Sequence, residues 1–330
     1  MRVIRILVLS LTTCGFCCCR LGFAQEEWIG RRVYYKVDAV ARVDDRMVES
    51  DGLFDFPETV EVEDGDWVSL GQGWMLKRDL MNADEAFEYY DELVRTNPSA
   101  VFAWEGRASS ATDRGDFERA IADFTYAIQL KPKSAPLYTN RAIAKNSSKD
   151  FNGAVRDCDV AATLDPQYAS AYWARGFAYF SLGKAKEALA DYDIAIGLNP
   201  TVAKLYADRG SLRYFEGDLE GAIKDSSEAI RIDPKCMMAL NSLAWIHATA
   251  SDSPKRDGKS AVKLATKACE LTNFQDPNTL GTLAAAYAET GDFATAIRYL
   301  KQANDIDPNS SNEFRRKMLL SFQAQEPFRN

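Results

Sequence analysis

Few side chains in these 330 residues could carry a reaction. His247 is the single histidine, so no histidine pair can hold a metal or form a relay. Cys14, Cys17, Cys18 and Cys19 crowd one apolar segment, where the Cys14–Cys17 spacing reads as filler rather than a redox or zinc motif. Cys158, Cys236 and Cys269 are too far apart for a disulfide framework and read as small buried apolar residues. No G-x-S-x-G, phosphate loop or G-x-G-x-x-G occurs, and Gly71-Gln72-Gly73 is only a turn. His247 is read as core packing. No catalytic residue, cofactor or metal is expected, and the chain is read as a non-enzyme. The residues that could act are aromatic: Trp173, Phe177 and Phe180 follow i, i+4, i+7 spacing and form one helical stripe. An exposed stripe of that kind recognises apolar or aromatic groups on a partner.

The elements that position this stripe are legible in an internal repeat. GDFERAIADFTYAIQLKP (115–132) and GDLEGAIKDSSEAIRIDP (217–234) begin 102 residues apart, three times 34. Prolines 98, 132, 166, 200 and 234 are each 34 apart. Numbered from residue 101, column 4 reads Trp104, Tyr138, Tyr172, Tyr206, and column 7 reads Arg107, Arg141, Arg175, Arg209. Columns 8, 20 and 27 hold small residues: Ala108, Ala142, Gly176 and Gly210; Ala120, Ala154, Ala188 and Ala222; Ala127, Ala161, Ala195 and Ala229. Small residues let two helices approach closely. Gly115, Gly183 and Gly217 mark the turn between them, and Asp116, Asp150 and Asp218 are expected N-caps of the second helix. This pattern resembles the tetratricopeptide (TPR) repeat. The resemblance implies an all-α right-handed superhelix of stacked helix pairs, because one pair cannot bury its own apolar face.

The expected solenoid spans residues 83–308. A half repeat at 83–98 is followed by full repeats at 101–132, 135–166, 169–200 and 203–234. A long-loop repeat at 237–276 is lengthened by SDSPKRDGK (251–259), and a last repeat covers 277–308. Residues 309–330 read as a capping helix and tail.

Two further segments precede it. Residues 1–24 carry Arg2 and Arg5, an apolar run and a Gly22-Phe23-Ala24 exit, which is the layout of a cleaved secretory signal. Leu11-Thr12-Thr13-Cys14 is similar to a lipoprotein box, with a poorly fitting Thr13. The chain is therefore expected to be exported, to the periplasm or the medium. No later apolar run is long enough to span a bilayer. Residues 28–80 alternate from Val33 to Val43 and carry a hairpin signal at Asp64-Gly65. With GDW and GQGWM they resemble bacterial SH3-like domains, which implies a small all-β barrel. The expected fold class is thus α+β multidomain: an SH3-like barrel followed by the TPR superhelix.

The formal net charge is −8, and residues 1–24 hold three arginines and no acid, so the rest carries −11. That balance excludes phosphate-backbone binding, and no nucleic acid is expected. In TPR solenoids the first helices line the inner face through columns 2, 5, 9, 12 and 13. By that resemblance Trp173, Phe177, Phe180, Tyr214 and Phe215 are candidate ligand contacts, the open alternative being that they pack between helices or under the long loop. Asn140 matches the asparagine of the family's carboxylate clamp, but Glu105, Ser109, Ser170 and Ala174 stand where its basic and amide partners belong. An acidic tail is therefore a poor ligand. The expected function is an exported scaffold that binds a protein or peptide. A wall- or glycan-binding module led by the barrel and an undetected hydrolase are the competing readings.

Overall fold

The computed structural model describes residues 80–308 and 313–329. Before them it describes only short backbone segments between residues 32 and 76, together with the side chain of Tyr34. The expected leader, with its four cysteines, lies outside the described residues.

The early segments are β1 (Arg32–Tyr35), β2 (Val40–Val43), β3 (Arg46–Glu49), β4 (Glu58–Thr59), β5 (Val62–Asp64), β6 (Trp67–Ser69), β7 (Trp74–Leu76) and β8 (Leu80–Met81). The hairpin signal is met, with Asp64 opposite Trp67 and Val62 opposite Ser69. The expected SH3-like barrel and the α+β class are not. Helices dominate the described residues, and the strands form two separate ladders, β4-β1-β8 and β3-β2-β7-β6-β5, rather than a closed all-β domain. Alternation from Val33 to Val43 marks extended chain, yet β1 and β2, both drawn from that run, belong to different ladders. Closing a barrel needs a continuous circuit of paired strands with consistent tilt and shear, which segments of two to four residues in two ladders do not supply.

Fourteen helices follow among the described residues, in two compact units, residues 1–166 and 167–330. The first unit holds α1 (Ala83–Thr96), α2 (Val101–Asp113), α3 (Phe117–Leu130), α4 (Ala135–Ser147) and α5 (Phe151–Leu164). β1 meets these helices through Tyr34, which is buried with Met81, Ala86 and Tyr90. Its hydroxyl donates to Asp113 at 2.9 Å. The second unit holds α6 (Ala169–Ser181), α7 (Ala185–Leu198), α8 (Ala203–Phe215), α9 (Leu219–Ile232), α10 (Met237–Thr249), α11 (Gly258–Leu271), α12 (Pro277–Glu289), α13 (Phe293–Ile306) and α14 (Glu313–Gln323).

The local reasons for these helices are those the repeat predicts. Asn82 opens α1 with a reciprocal capping box to Glu85. Asp116, Asp150 and Asp218 cap α3, α5 and α9 by accepting from the amide three residues on, and Asp257, Asp276 and Asp292 do the same for α11, α12 and α13. The repeat alanines at columns 8, 20 and 27 are all buried. Contact there is close: a Cβ added at Gly176 would lie 3.0 Å from the Tyr192 ring and 3.3 Å from the Ala188 carbonyl. That is why α6 and α7 need a glycine and an alanine facing each other.

The inter-helix turn needs a left-handed residue. Gly115, Gly183, Gly217 and Gly291 supply it with φ between 72° and 85°, and Lys149 takes the same place between α4 and α5 at φ 67°. A lysine there meets the Cβ–carbonyl clash that glycine lacks, which costs about 1–2 kcal/mol, and glycine's greater freedom in the unfolded chain returns part of it. Lys149→Gly is therefore expected to stabilise the first unit by about 0.5–1 kcal/mol. A higher denaturant midpoint checks this, and an unchanged or lower one refutes the strain.

Candidate partner-binding face

A clamp that recurs in four repeats holds each first helix to its partner. The column 7 arginine donates through Nε and Nη2 to one carboxylate sixteen residues later. Arg107 pairs with Asp123 (2.7 and 2.8 Å), Arg141 with Asp157 (2.8 and 2.7 Å), Arg175 with Asp191 (2.8 Å twice) and Arg209 with Asp225 (2.8 and 2.6 Å). All four aspartates are buried. Each guanidinium also lies over the column 4 ring of its own helix, 4.9 Å from Trp104 and 5.4–5.7 Å from Tyr138, Tyr172 and Tyr206. The third nitrogen reaches the preceding repeat: Arg107 to Asp91, Arg141 to Thr125 at 3.0 Å, Arg209 to Asp193 at 2.6 Å. Burial would lower the pKa of Arg107 and Arg209, but bonding to two carboxylates each outweighs it and holds both above the usual value. The aspartate column was missed in the sequence, although Asp123, Asp157, Asp191 and Asp225 stand 34 apart. The fork leaves the opposite face of the first helices free of these charges.

The candidate residues on that face divide. In the first unit Asn140 Nδ2 donates to Glu105 Oε1 at 3.3 Å, so the clamp-like amide already serves a carboxylate of its own chain. In the second unit Trp173 is half-buried, packed against Ala195, Ile196 and Leu205. Its Nε1 donates to Asp208 at 2.6 Å, and the Lys204 ammonium lies 5.0 Å from its ring centre. Both pairs join column 5 of one repeat to column 6 of the next. Trp173 is thus a wedge between α6 and α8. Phe177 is 39% exposed and Phe215 69% exposed. Phe180 is half-buried with its ring 5.7 Å from that of Phe215. Tyr214 accepts from Trp245 Nε1 at 2.7 Å.

A hollow of the second unit begins where this stripe ends. A cavity of about 640 Å³ is lined by Tyr214 and Phe215 of α8, Asn241 and Trp245 of α10, Asn278 and Gly281 of α12, and Phe314, Arg315 and Met318 of α14. Asn241 and Gly281 stand at column 5 of their repeats, Trp245 at column 9 and Asn278 at column 2. The same columns thus line this hollow one to two repeats beyond the residues they were first applied to. Asn241 Oδ1 has no donor among the described residues. A wall of aromatic rings and two asparagine amides, with Asp307 and Arg315 as its charged members, suits a peptide segment.

The histidine and two of the cysteines have structural surroundings. His247 is half-buried rather than a core residue: its Nδ1 lies 2.9 Å from the Lys255 carbonyl, and its own carbonyl accepts from the Asp257 amide. It latches the long loop onto α10. Cys269 is buried, and burial pushes its thiol up to about 11, away from the thiolate a nucleophile needs. Burial also raises the Cys236 thiol. Among the described residues, no three His, Cys, Asp or Glu side chains are grouped to hold a metal ion, and no helix is long and apolar enough to cross a membrane.

Comparison with known proteins agrees with the repeat fold. Tetratricopeptide repeat models match residues 76–135, 169–202, 203–236 and 277–310. No curated protein sequence matches the chain. Among solved structures, the chain is similar to one in the APC/C hetero-tetramer Cut9–Hcn1 (TM-score 0.64, 16% identity, 73% of this chain and 46% of that one). It is also similar to yeast Tom70 (TM-score 0.50, 26% identity, 74% and 51%). A third match is YrrB, described as a TPR protein with an unusual peptide-binding site (TM-score 0.45, 21% identity, 59% and 98%). The chain spans about half the length of the first two.

Proposed function

We propose that this chain of tetratricopeptide repeats is a non-enzymatic scaffold that binds a protein or peptide on the inner face of its first helices, and that it works outside the cytoplasm after loss of residues 1–24. The observation that carries the binding reading is the exposed aromatic edge, Phe177 and Phe215, leading into the cavity walled by Asn241, Trp245 and Asn278. Large rings left in water beside a hollow are the usual anchors of a protein contact, and truncating such anchors costs 2 kcal/mol or more. Export rests on the Arg-flanked apolar run and its small-residue exit. The wall-binding alternative loses its premise with the barrel.

The test pairs binding with stability. Phe177→Ala/Phe215→Ala is expected to cut crosslinked partner recovery from the native host at least tenfold, with no change in melting temperature, because both rings are exposed. Trp173→Ala is expected to lower the melting temperature, since that ring is a wedge between helices. Equal recovery by the double variant and the parent would overturn the assignment. N-terminal sequencing of the native protein is expected to begin at Gln25, and a start at Met1 would overturn the export.

A further inference from the structure

The segment after α14 turns back onto the inner face. Gln325 adopts φ 58° and reverses the chain, and Glu326 donates its amide to the Ser321 carbonyl. Phe328 then meets two rings of the cavity wall, edge-on to Phe314 with centroids 5.2 Å apart and 6.2 Å from Trp245. Trp245 and Phe314 are themselves 5.7 Å apart, so Phe328 completes a cluster of three. The next residue is charged and lands on the opposite charge. Arg329 Nη1 lies 2.6 Å from Glu289 Oε2, an ion pair rather than an aligned hydrogen bond, and donates to the Ala248 carbonyl at 3.4 Å.

Glu289 does not depend on this contact for its neutralisation. Arg256 Nε donates to its other oxygen at 3.1 Å, and the same guanidinium holds the Ala250 and Ser251 carbonyls of the long loop. The long loop is therefore fastened without the segment. An aromatic residue followed by an arginine has docked on a ring pair and a carboxylate that both exist without it.

We propose that Pro327-Phe328-Arg329 is a built-in pseudo-ligand, and that the partner of this face presents an aromatic residue followed by a basic one that displaces it. The proposal rests on the inner-face reading above and adds the chemistry of the ligand. One half-buried ring and one partly exposed ion pair make a weak contact, which persists because a short tether keeps its effective concentration in the millimolar range. A separate ligand with the same two groups and further contacts in the cavity can replace it. The charge agrees: a chain of net charge −8, with Glu289 beside the rings, attracts a basic peptide and repels an acidic one.

The probe is the segment itself, a fluorescein-labelled acetyl-Gln-Glu-Pro-Phe-Arg-amide, titrated into the full-length chain and read by polarisation. Phe328→Ala/Arg329→Ala is expected to bind it at least tenfold more tightly than the parent, because the site is no longer filled in cis. Replacing Phe or Arg of the probe by alanine, or adding Glu289→Gln to the protein, is expected to remove that gain, and raised salt to weaken it. Should the double variant fold poorly, Arg329→Ala alone, at an exposed side chain, is expected to show a smaller gain in the same direction. Equal binding by parent and variants overturns the proposal. If probe binding fails while partner recovery still depends on Phe177 and Phe215, only the pseudo-ligand falls. If that dependence is absent too, both readings fall.

Discussion

Asp225→Ala is expected to lower the stability of the second unit by about 3–5 kcal/mol, the cost of leaving a buried charge without its partner. Asp225 is 1% exposed and accepts from Nε and Nη2 of Arg209 and, at 2.8 Å, from Nη1 of Arg213. Removing it leaves two guanidinium groups facing one space, with Asp193 still bonded to Arg209 and Asp218 beside Arg213. The loss is one of compensation rather than of attraction. Arg209→Met/Asp225→Leu, which removes both charges and keeps apolar volume, is therefore expected to recover most of the stability. Guanidinium denaturation followed by circular dichroism separates the two cases. A single variant as stable as the parent would show that the fork is ornamental, and a double variant as unstable as the single would show that it orients α8 in a way apolar packing cannot replace. Asp157 sits in the same arrangement with Arg141 and Lys145, so the same contrast should appear in the first unit.

Phe322→Ala is the second large effect, a loss of about 3–5 kcal/mol. Phe322 is fully buried on α14, in one cluster with Leu283, Leu300, Ala303 and Met318. Truncation leaves a cavity where α14 meets α12 and α13. Leu320, 55% exposed on the other side of the same helix, is the control, and its replacement by alanine should cost under 0.5 kcal/mol. Because Phe314, Arg315 and Met318 of α14 line the cavity, Phe322→Ala should also speed amide exchange through α14 and weaken partner recovery. A melting temperature unchanged by Phe322→Ala would mean that this packing of α14 onto α12 and α13 does not hold the unit together.

The 34-residue period alone determined the helix pairs, because spacing, caps, turn glycines and small residues act within a few residues of one another. Asp116, Asp150 and Asp218 cap where their position before each helix says they should, and the columns of alanine are buried because they must let helices touch. Column 15 carries the rule even where its residue breaks it, since Lys149 adopts the glycine conformation. Local alternation misled at residues 28–80. A period of two reports which side of an extended segment is apolar, but not which segments pair, and the ladders there divide what one run suggested.

Tertiary structure decided everything that depends on distance along the chain. Which carboxylate each column 7 arginine grips is settled sixteen residues away, by two helices packed on buried alanines. Whether an aromatic on a first helix is wedge or anchor depends on the next repeat: Leu205 and Asp208 draw Trp173 inward, while Phe177 and Phe215 meet nothing that covers them to the same extent. The wall of the cavity brings residues 214, 245 and 314 together, and the docked Phe328 lies 83 residues from Trp245 in sequence. No periodicity spans such a separation, because the contact follows from the sum of all intervening turns and packings and not from any one of them.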